Sequence, residues 1–157
     1  MDRLSSLMVR SSLVWLMAGV MVGAAMMIDR EIPGNWRGWF TPSHVHMLFV
    51  GWFLQFAIGV AYWLLPRKRS VSLPLGYDER LSLGAMAALN MGLLVRVSVE
   101  PFERAGHAGD ASFTALAVAV ALQVAAVAIF VCQLWSRVGP RTRPKTSVQA
   151  QAQAPAA

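Results

Sequence analysis

Four apolar stretches, each about as long as a membrane is thick, limit what this chain can fold into. They cover about residues 12–28, 43–65, 81–99 and 113–135, with short polar connections between them. A helix needs about 20 mostly apolar residues to cross the hydrocarbon core of a bilayer. The charged fraction of 14% is also well below the roughly 25% of a soluble domain. The sequence therefore predicts an all-α fold, an integral membrane four-helix bundle over residues 1–138, with the lipid bilayer as its first partner.

The Lys and Arg residues are unevenly divided between the two ends of the predicted spans. Ten flank one side, namely Arg3, Arg10, Arg67, Lys68, Arg69, Arg80, Arg137, Arg141, Arg143 and Lys145. Four flank the other side, namely Arg30, Arg37, Arg96 and Arg104. Basic residues concentrate on the cytoplasmic side of membrane proteins, so both termini are predicted to be cytoplasmic. The net charge of +6 is explained in this way and does not indicate a nucleic-acid partner.

The two ends of the chain carry further expectations. The first apolar stretch exceeds the core of about 7–15 residues in a signal peptide, and more spans follow, so we expect it to be retained. Residues 139–157 are polar, repetitive and rich in Pro, Ala and Gln, a composition typical of disordered segments. We expect a multi-pass protein of the inner, cytoplasmic membrane of a bacterium, with a disordered cytoplasmic tail.

Two histidines stand at the start of the second span, in the sequence "HVHMLFVGW" of residues 44–52. Ionisable residues within membrane segments are rare and suggest a functional site. Successive residues of an α-helix are turned by about 100°, so His44 and His46 point in nearly opposite directions and should not bind the same metal ion. A simpler interpretation stays open, in which each histidine bonds to backbone or interfacial water. The face of His44 continues through small and polar residues that we expect inside the bundle, namely Gly51, Gln55, Gly59 and Tyr62.

The second span also resembles a known family. The stretch "HVHMLFVGWFLQFAIGVAYWLLPR" is similar to the second transmembrane helix of subunit I of the haem-copper oxidase superfamily, which includes nitric oxide reductases, and more so to short, four-helix, stand-alone relatives of that subunit. The matching residues are Pro42, His44, His46, Gly51, Trp52, Gly59, Tyr62 and Pro66. The stretch "LNMGLLVR", residues 89–96, resembles the third helix of those relatives more loosely.

The resemblance implies a haem at the outer end of the second helix. Either His46, favoured by the family's register, or His44, favoured by its small and polar face, would be an axial ligand of the iron. Gly51 would let a flat cofactor or another helix approach. Arg96 would either pair with the haem propionates or extend to the lipid headgroups.

The second axial ligand is left open by the sequence. Met26 at the outer end of the first helix lies at a suitable depth, and Met27 and Met91 are further candidates, since Met is a common axial ligand. Each methionine is equally compatible with simple packing. The same histidine from two protomers, or a residue of a partner subunit, are the other routes.

These features predict a small membrane protein that binds haem for electron transfer or sensing, within a homodimer or a larger respiratory complex. The 157 residues lack the later histidines of the family's oxygen-reducing centre, so we expect no oxygen or nitric oxide reduction by this chain alone and no catalytic residue. The alternative is a cofactor-free structural or assembly subunit of a respiratory complex. Two weaker metal sites are considered. One, at His44, His46 and Met47, would require the first turn of the helix to be unwound; the other is at Glu103, His107 and Asp110.

Overall fold

The computed structural model describes residues 1–28, 34–67, 71 and 73–138, which form helices and no strands. The predicted disordered tail, 139–157, lies outside the described residues. The four helices are α1 (Arg3–Met27), α2 (Trp36–Leu64), α3 (Glu79–Arg104) and α4 (Asp110–Trp135). All four are long and apolar enough to cross a membrane, as predicted. The prediction of an all-helical fold is thus confirmed, and four helices have the length and composition of membrane spans.

All four helices begin earlier than the apolar stretches that predicted them. The charge at Arg3 and Arg10 placed the start of α1 at residue 12, but α1 begins at Arg3, where the Asp2 side chain accepts a hydrogen bond from the Ser5 amide at 2.9 Å. Asp78 caps α3 in the same way through the Leu81 amide at 3.0 Å. Helix capping satisfies amides that have no partner within the helix, so polar residues extend a helix beyond its apolar part.

Helix α2 is the element that differs most from its prediction. It begins at Trp36 and passes through Pro42, although residue 43 was the expected start. A π-helical stretch, Met47–Leu54, interrupts it directly after His46. Its 29 residues span about 44 Å, more than the roughly 30 Å hydrocarbon core. His44 and His46 are therefore not at the start of the helix but about 12 and 15 Å from Trp36 along its axis.

Helix α3 continues through a proline at which it was expected to end. Pro101 has no amide hydrogen to donate to the carbonyl of Val97, four residues earlier. The Ser43 hydroxyl of α2 donates to this carbonyl instead, at 3.1 Å, and both Ser43 and Pro101 are buried. The unpaired backbone group is thus satisfied by the neighbouring helix, which allows α3 to extend to Arg104 and holds the first part of α2 against the last part of α3.

The four helices pack mainly as α1 on α2 and α3 on α4, with α2 also contacting α3. A buried cluster fills the end of the bundle near the first residue, and contains Leu4, Met8, Tyr62, Tyr77, Ala85, Leu89, Ala126 and Phe130. A second cluster of Trp15, Leu93 and Val97 fills the half that contains the histidines. The predicted inward face of α2 is confirmed, because Gly51, Gln55, Gly59 and Tyr62 are all buried.

Candidate functional site

His44 lies against helix α1. Its Nδ1 is 2.8 Å from the carbonyl oxygen of Gly19, and a carbonyl can only accept, so Nδ1 carries the proton. In a neutral imidazole this leaves Nε2 as the nitrogen with a free lone pair. A backbone carbonyl on Nδ1 is a common way of fixing a histidine whose Nε2 binds a metal.

Two glycines of α1 make room for this arrangement. A Cβ at Gly23 would lie 2.7 Å from the His44 ring carbon Cε1, and a Cβ at Gly19 would lie 2.7 Å from Leu48 Cδ2. Both distances are shorter than a van der Waals contact, so only glycine lets α2 come this close. The spacing of Gly19 and Gly23 therefore permits a close contact between α1 and α2, and this contact positions His44.

The other side of His44 borders an open, apolar groove of about 450 Å³ on the outside of the bundle. The described residues that line it all belong to α2, namely His44, Val45, Leu48, Phe49, Trp52 and Phe53. The rings of Phe49 and Phe53 are 5.8 Å apart, and the two residues are 61% and 54% exposed. His44 is therefore one of the residues that line a surface groove together with aromatic side chains. We call this the His44 groove.

His46 lies in a different environment, against α3. Its Nδ1 is 3.0 Å from Glu100 Oε2, and the other carboxylate oxygen of Glu100 accepts from Arg96 Nε at 2.7 Å. Arg96 Nη1 continues the network to Gln123 Oε1 on α4 at 3.3 Å. The prediction that His44 and His46 point in different directions is confirmed, since one contacts α1 and the other α3. We call this second group the Glu100 network: His46, Glu100, Arg96 and Gln123.

Arg96 pairs with other side chains of the bundle. Glu100 and Gln123 accept hydrogen bonds from its guanidinium, and its two predicted roles, at the headgroups or the haem propionates, stay predictions. Glu100 was not among the site residues that the sequence predicted, so this pair was missed. The i, i+4 spacing of Arg96 and Glu100, which favours an ion pair on one helix face, was the signal that could have revealed it.

Gly51 lies where α2 packs closely on its neighbours. A Cβ there would be 2.6 Å from Trp15 Cγ and 2.8 Å from Leu93 Cδ2, so side chains of α1 and α3 already fill the space. Trp15 donates to Asn90 Oδ1 at 2.8 Å. The interior of this half of the bundle is packed, and a macrocycle has no room beside Gly51.

Met26 lines a small cavity of about 170 Å³ with Val22, Ala25, Trp36 and Phe40, and its sulfur is 4.0 Å from the Thr41 hydroxyl. Its role as a second ligand stays a prediction. His107 lines another cavity, and Glu103 accepts from Ser112 at 3.0 Å. In the part of the chain that the structure describes, no three or more His, Cys, Asp or Glu side chains are grouped to hold a metal ion.

The Glu100 network makes a stability prediction. Replacing Glu100 with Ala is expected to lower the free energy of unfolding by about 3 kcal/mol, because it leaves Arg96 partly buried without its counter-charge and His46 without its acceptor. Thermal unfolding of the purified protein in detergent measures the loss. Glu79→Ala, in the first turn of α3, is the control and should change stability by less than about 1 kcal/mol. A Glu100→Ala variant as stable as this control would contradict the network.

Comparison with known proteins identified no relative of this chain. No family model matches the chain, and no curated protein or solved structure is significantly similar to it. The likeness of α2 to the haem-copper oxidase subunit therefore stays a prediction from its motif. The function has to be argued from the two histidines and their surroundings.

Proposed function

We propose that this protein binds a haem in the His44 groove, with His44 Nε2 as an axial ligand of the iron, and that it serves in electron transfer or in sensing of a gas or redox state. The observation that carries the proposal is the Nδ1 contact of His44 with the Gly19 carbonyl at 2.8 Å. This contact directs the proton to Nδ1 and leaves Nε2 as the nitrogen with a free lone pair, on a residue that lines an aromatic groove. When bound, the haem would supply a one-electron or gas-binding centre.

The His44 imidazole and the shape of the groove fit a haem. A neutral imidazole with a fixed tautomer is a common haem ligand, and Phe49, Trp52 and Phe53 offer ring faces to a flat, apolar macrocycle. The volume of about 450 Å³ lies within the roughly 300–1,000 Å³ of small-molecule sites. Arg37 lies seven residues before His44, about two turns further along the same helix face, and is exposed. Its guanidinium would be the partner for the propionates in place of Arg96.

The proposal gives the two histidines separate roles. His46 is engaged with Glu100, whose second oxygen holds Arg96, so it would join α2 to α3 and would not ligate iron. The choice of His44 as the ligand agrees with the prediction made from its small and polar helix face. It differs from the family's register, which favoured His46.

A substitution that leaves the ligand untouched provides the sharpest test of the groove. Gly23→Ala places a methyl group 2.7 Å from His44 Cε1, so the ring must move and haem affinity is expected to fall by at least about tenfold, equivalent to 1.4 kcal/mol. Gly84→Ala, at a position with no atom within 4 Å of a new Cβ, should bind haem as the unmodified protein does. Titration of haem into the apoprotein, followed by absorbance, measures both. Equal affinities would remove the His44 groove as the site.

The alternative function is a cofactor-free structural subunit, and one observation favours it. The small residues of the inner face of α2 are already covered by protein, Gly51 by Trp15 and Leu93, and Gly59 by Met8, so the bundle is complete without a cofactor. Reduced-minus-oxidised spectra and metal analysis of protein purified from haem-replete cells separate the two functions. A haem spectrum supports the first, and its absence together with co-purifying respiratory subunits supports the second.

The proposed setting is the bacterial inner membrane, with both termini in the cytoplasm and the His44 groove in the outer half of the bilayer. The uneven distribution of Lys and Arg supports this orientation. A reporter fused after Lys145 should be active if it works in the cytoplasm, and a reporter that works only in the periplasm should be inactive there. The reverse pattern would contradict the orientation.

A further inference from the structure

Gln123, near the middle of α4, carries a buried hydrogen-bond donor without an acceptor. Gln123 is 7% exposed, and its Oε1 accepts from Arg96 Nη1 at 3.3 Å. A guanidinium can only donate, so this contact fixes which end of the amide is the oxygen. Nε2, at the other end, is buried and has no hydrogen-bond partner among the described residues. A buried donor in this state is costly, so an acceptor from outside the described chain would stabilise it.

Gln123 also lines a crevice of about 240 Å³ between three helices. The rest of its described lining is apolar, namely Val50 and Leu54 of α2, Leu89 of α3, and Val124 and Val127 of α4. Val124 is 64% exposed, so the crevice opens to the outside of the bundle. A Cβ at Gly92 would lie 3.0 Å from Gln123 Cγ, because α3 packs closely against the Gln123 side chain. An occupant that suits this crevice has an apolar body and one acceptor.

The depth of Gln123 argues against lipid as the group that satisfies Nε2. Gln123 lies midway between Asp110 and Trp135, the two ends of α4, and is about 18–20 Å from either end. On the membrane placement proposed above, this is near the centre of a hydrocarbon core about 30 Å thick. Acyl chains at that depth carry no acceptor, and the polar groups of lipids begin at the edge of the core, about 15 Å away.

A helix of another protein fits the crevice better than a small molecule or a second copy of this chain. The volume of about 240 Å³ lies below the roughly 300–1,000 Å³ of small-molecule sites, whereas a single inserted side chain needs less room. A second copy offers no acceptor at this depth. Within about a turn and a half of the middle of each described helix, the exposed side chains contain no oxygen.

We propose that a transmembrane helix of a different protein packs into the crevice between α2, α3 and α4, and that an amide or hydroxyl oxygen near its middle accepts the hydrogen bond of Gln123 Nε2. Polar side chains join membrane helices in this way. Arg96 on Oε1 polarises the amide and strengthens Nε2 as a donor. The crevice shares no described residue with the His44 groove, so the partner helix and the proposed haem are tested separately.

Two synthetic helices test the proposal. Both are membrane-spanning polyleucine peptides, one with a single asparagine at its middle and one with leucine there, used at a dilution where neither self-associates. The full chain in lipid vesicles carries a dye on Cys132, its only cysteine and an exposed one, and energy transfer to a dye on the peptide measures binding. We expect the asparagine peptide to bind at least about fivefold more tightly. Equal affinities, or no binding of either peptide, would overturn the proposal and leave lipid as the cover of the crevice.

Three variants connect this preference to the crevice. Gln123→Leu removes the donor and should bind the two peptides equally. Val124→Trp leaves Gln123 in place but fills the crevice opening, so it should bind neither peptide. Val14→Trp makes the same change at a 68% exposed position of α1, and this matched control should keep the preference of the unmodified chain. A preference that survives in Gln123→Leu would contradict the proposal. Self-association of the unmodified chain that Val124→Trp abolishes would also contradict it, because a second copy would then cover the crevice.

Discussion

Replacing Arg137 with Ala is expected to lower the free energy of unfolding by about 3 kcal/mol or more, because it leaves three carbonyl groups without their donor and each unsatisfied buried group costs about 1–3 kcal/mol. Arg137 is 1% exposed and follows α4, yet its guanidinium caps the end of α2. It donates to the carbonyls of Tyr62, Leu65 and Pro66 at 3.0, 2.6 and 3.1 Å. The last carbonyls of a helix have no amide partner within it, and a basic side chain also favours the negative end of the helix dipole.

The rings of Tyr62 and Tyr77 strengthen this contact, because they lie 5.6 and 5.9 Å from the Arg137 guanidinium carbon. Thermal unfolding in detergent measures the effect. Arg137→Lys should be intermediate, since one ammonium cannot replace the planar fork that reaches three carbonyls. Arg80→Ala, at an exposed arginine in the first turn of α3, is the control and should stay within about 0.5 kcal/mol of the unmodified protein. If Arg80→Ala and Arg137→Ala are equally stable, Arg137 does not hold α2 and α4 together.

Gly51→Leu should be the most disruptive change within the bundle. The first added atom would already be 2.6 Å from Trp15 Cγ, and three more carbons follow. Overpacking a filled core costs typically 1–3 kcal/mol and occasionally more, and here α1 and α3 must both move away from α2. We expect a loss of at least about 3 kcal/mol in unfolding free energy, or failure to accumulate in the membrane.

The matched control is Gly84→Leu, which makes the same chemical change where no atom lies within 4 Å of a new Cβ. It removes the flexibility of a glycine equally but meets nothing, so it should be neutral or stabilising. Thermal midpoints and membrane yields of the two variants are compared. Equal tolerance of leucine at both positions would mean that α2 does not pack on Trp15 and Leu93 as described.

The sequence predicted well those features that depend on hydropathy and residue size. Four helices were expected and are present, and the buried face of α2 with Gln55 and Tyr62 was expected from its small and polar residues. These features depend on residues that are close in sequence or that repeat along one helix. The pattern of a single helix is therefore enough to predict them.

The features that escaped prediction depend on contacts between helices. Ser43 satisfies the carbonyl freed by Pro101, so a proline that should end α3 does not. The π-helical stretch after His46 changes the rotation of the residues that follow, which a regular turn of 100° cannot anticipate. Glu100 was not predicted as part of a site, yet it pairs with His46 of α2. The contacts of Ser43 and His46 each join residues 54 positions apart, and the π-helical stretch is a backbone irregularity. Hydropathy records neither kind of feature.

The central claim is that His44, and not His46, binds haem iron. The most direct measurement is the reduced-minus-oxidised absorption spectrum of three haem-replete proteins purified in parallel: the unmodified chain, His44→Ala and His46→Ala. We predict that His44→Ala loses the haem spectrum while keeping its fold by circular dichroism, and that His46→Ala keeps the spectrum with at most a small shift. Loss of the spectrum in His46→Ala alone, or no haem spectrum in the unmodified protein, would contradict the claim.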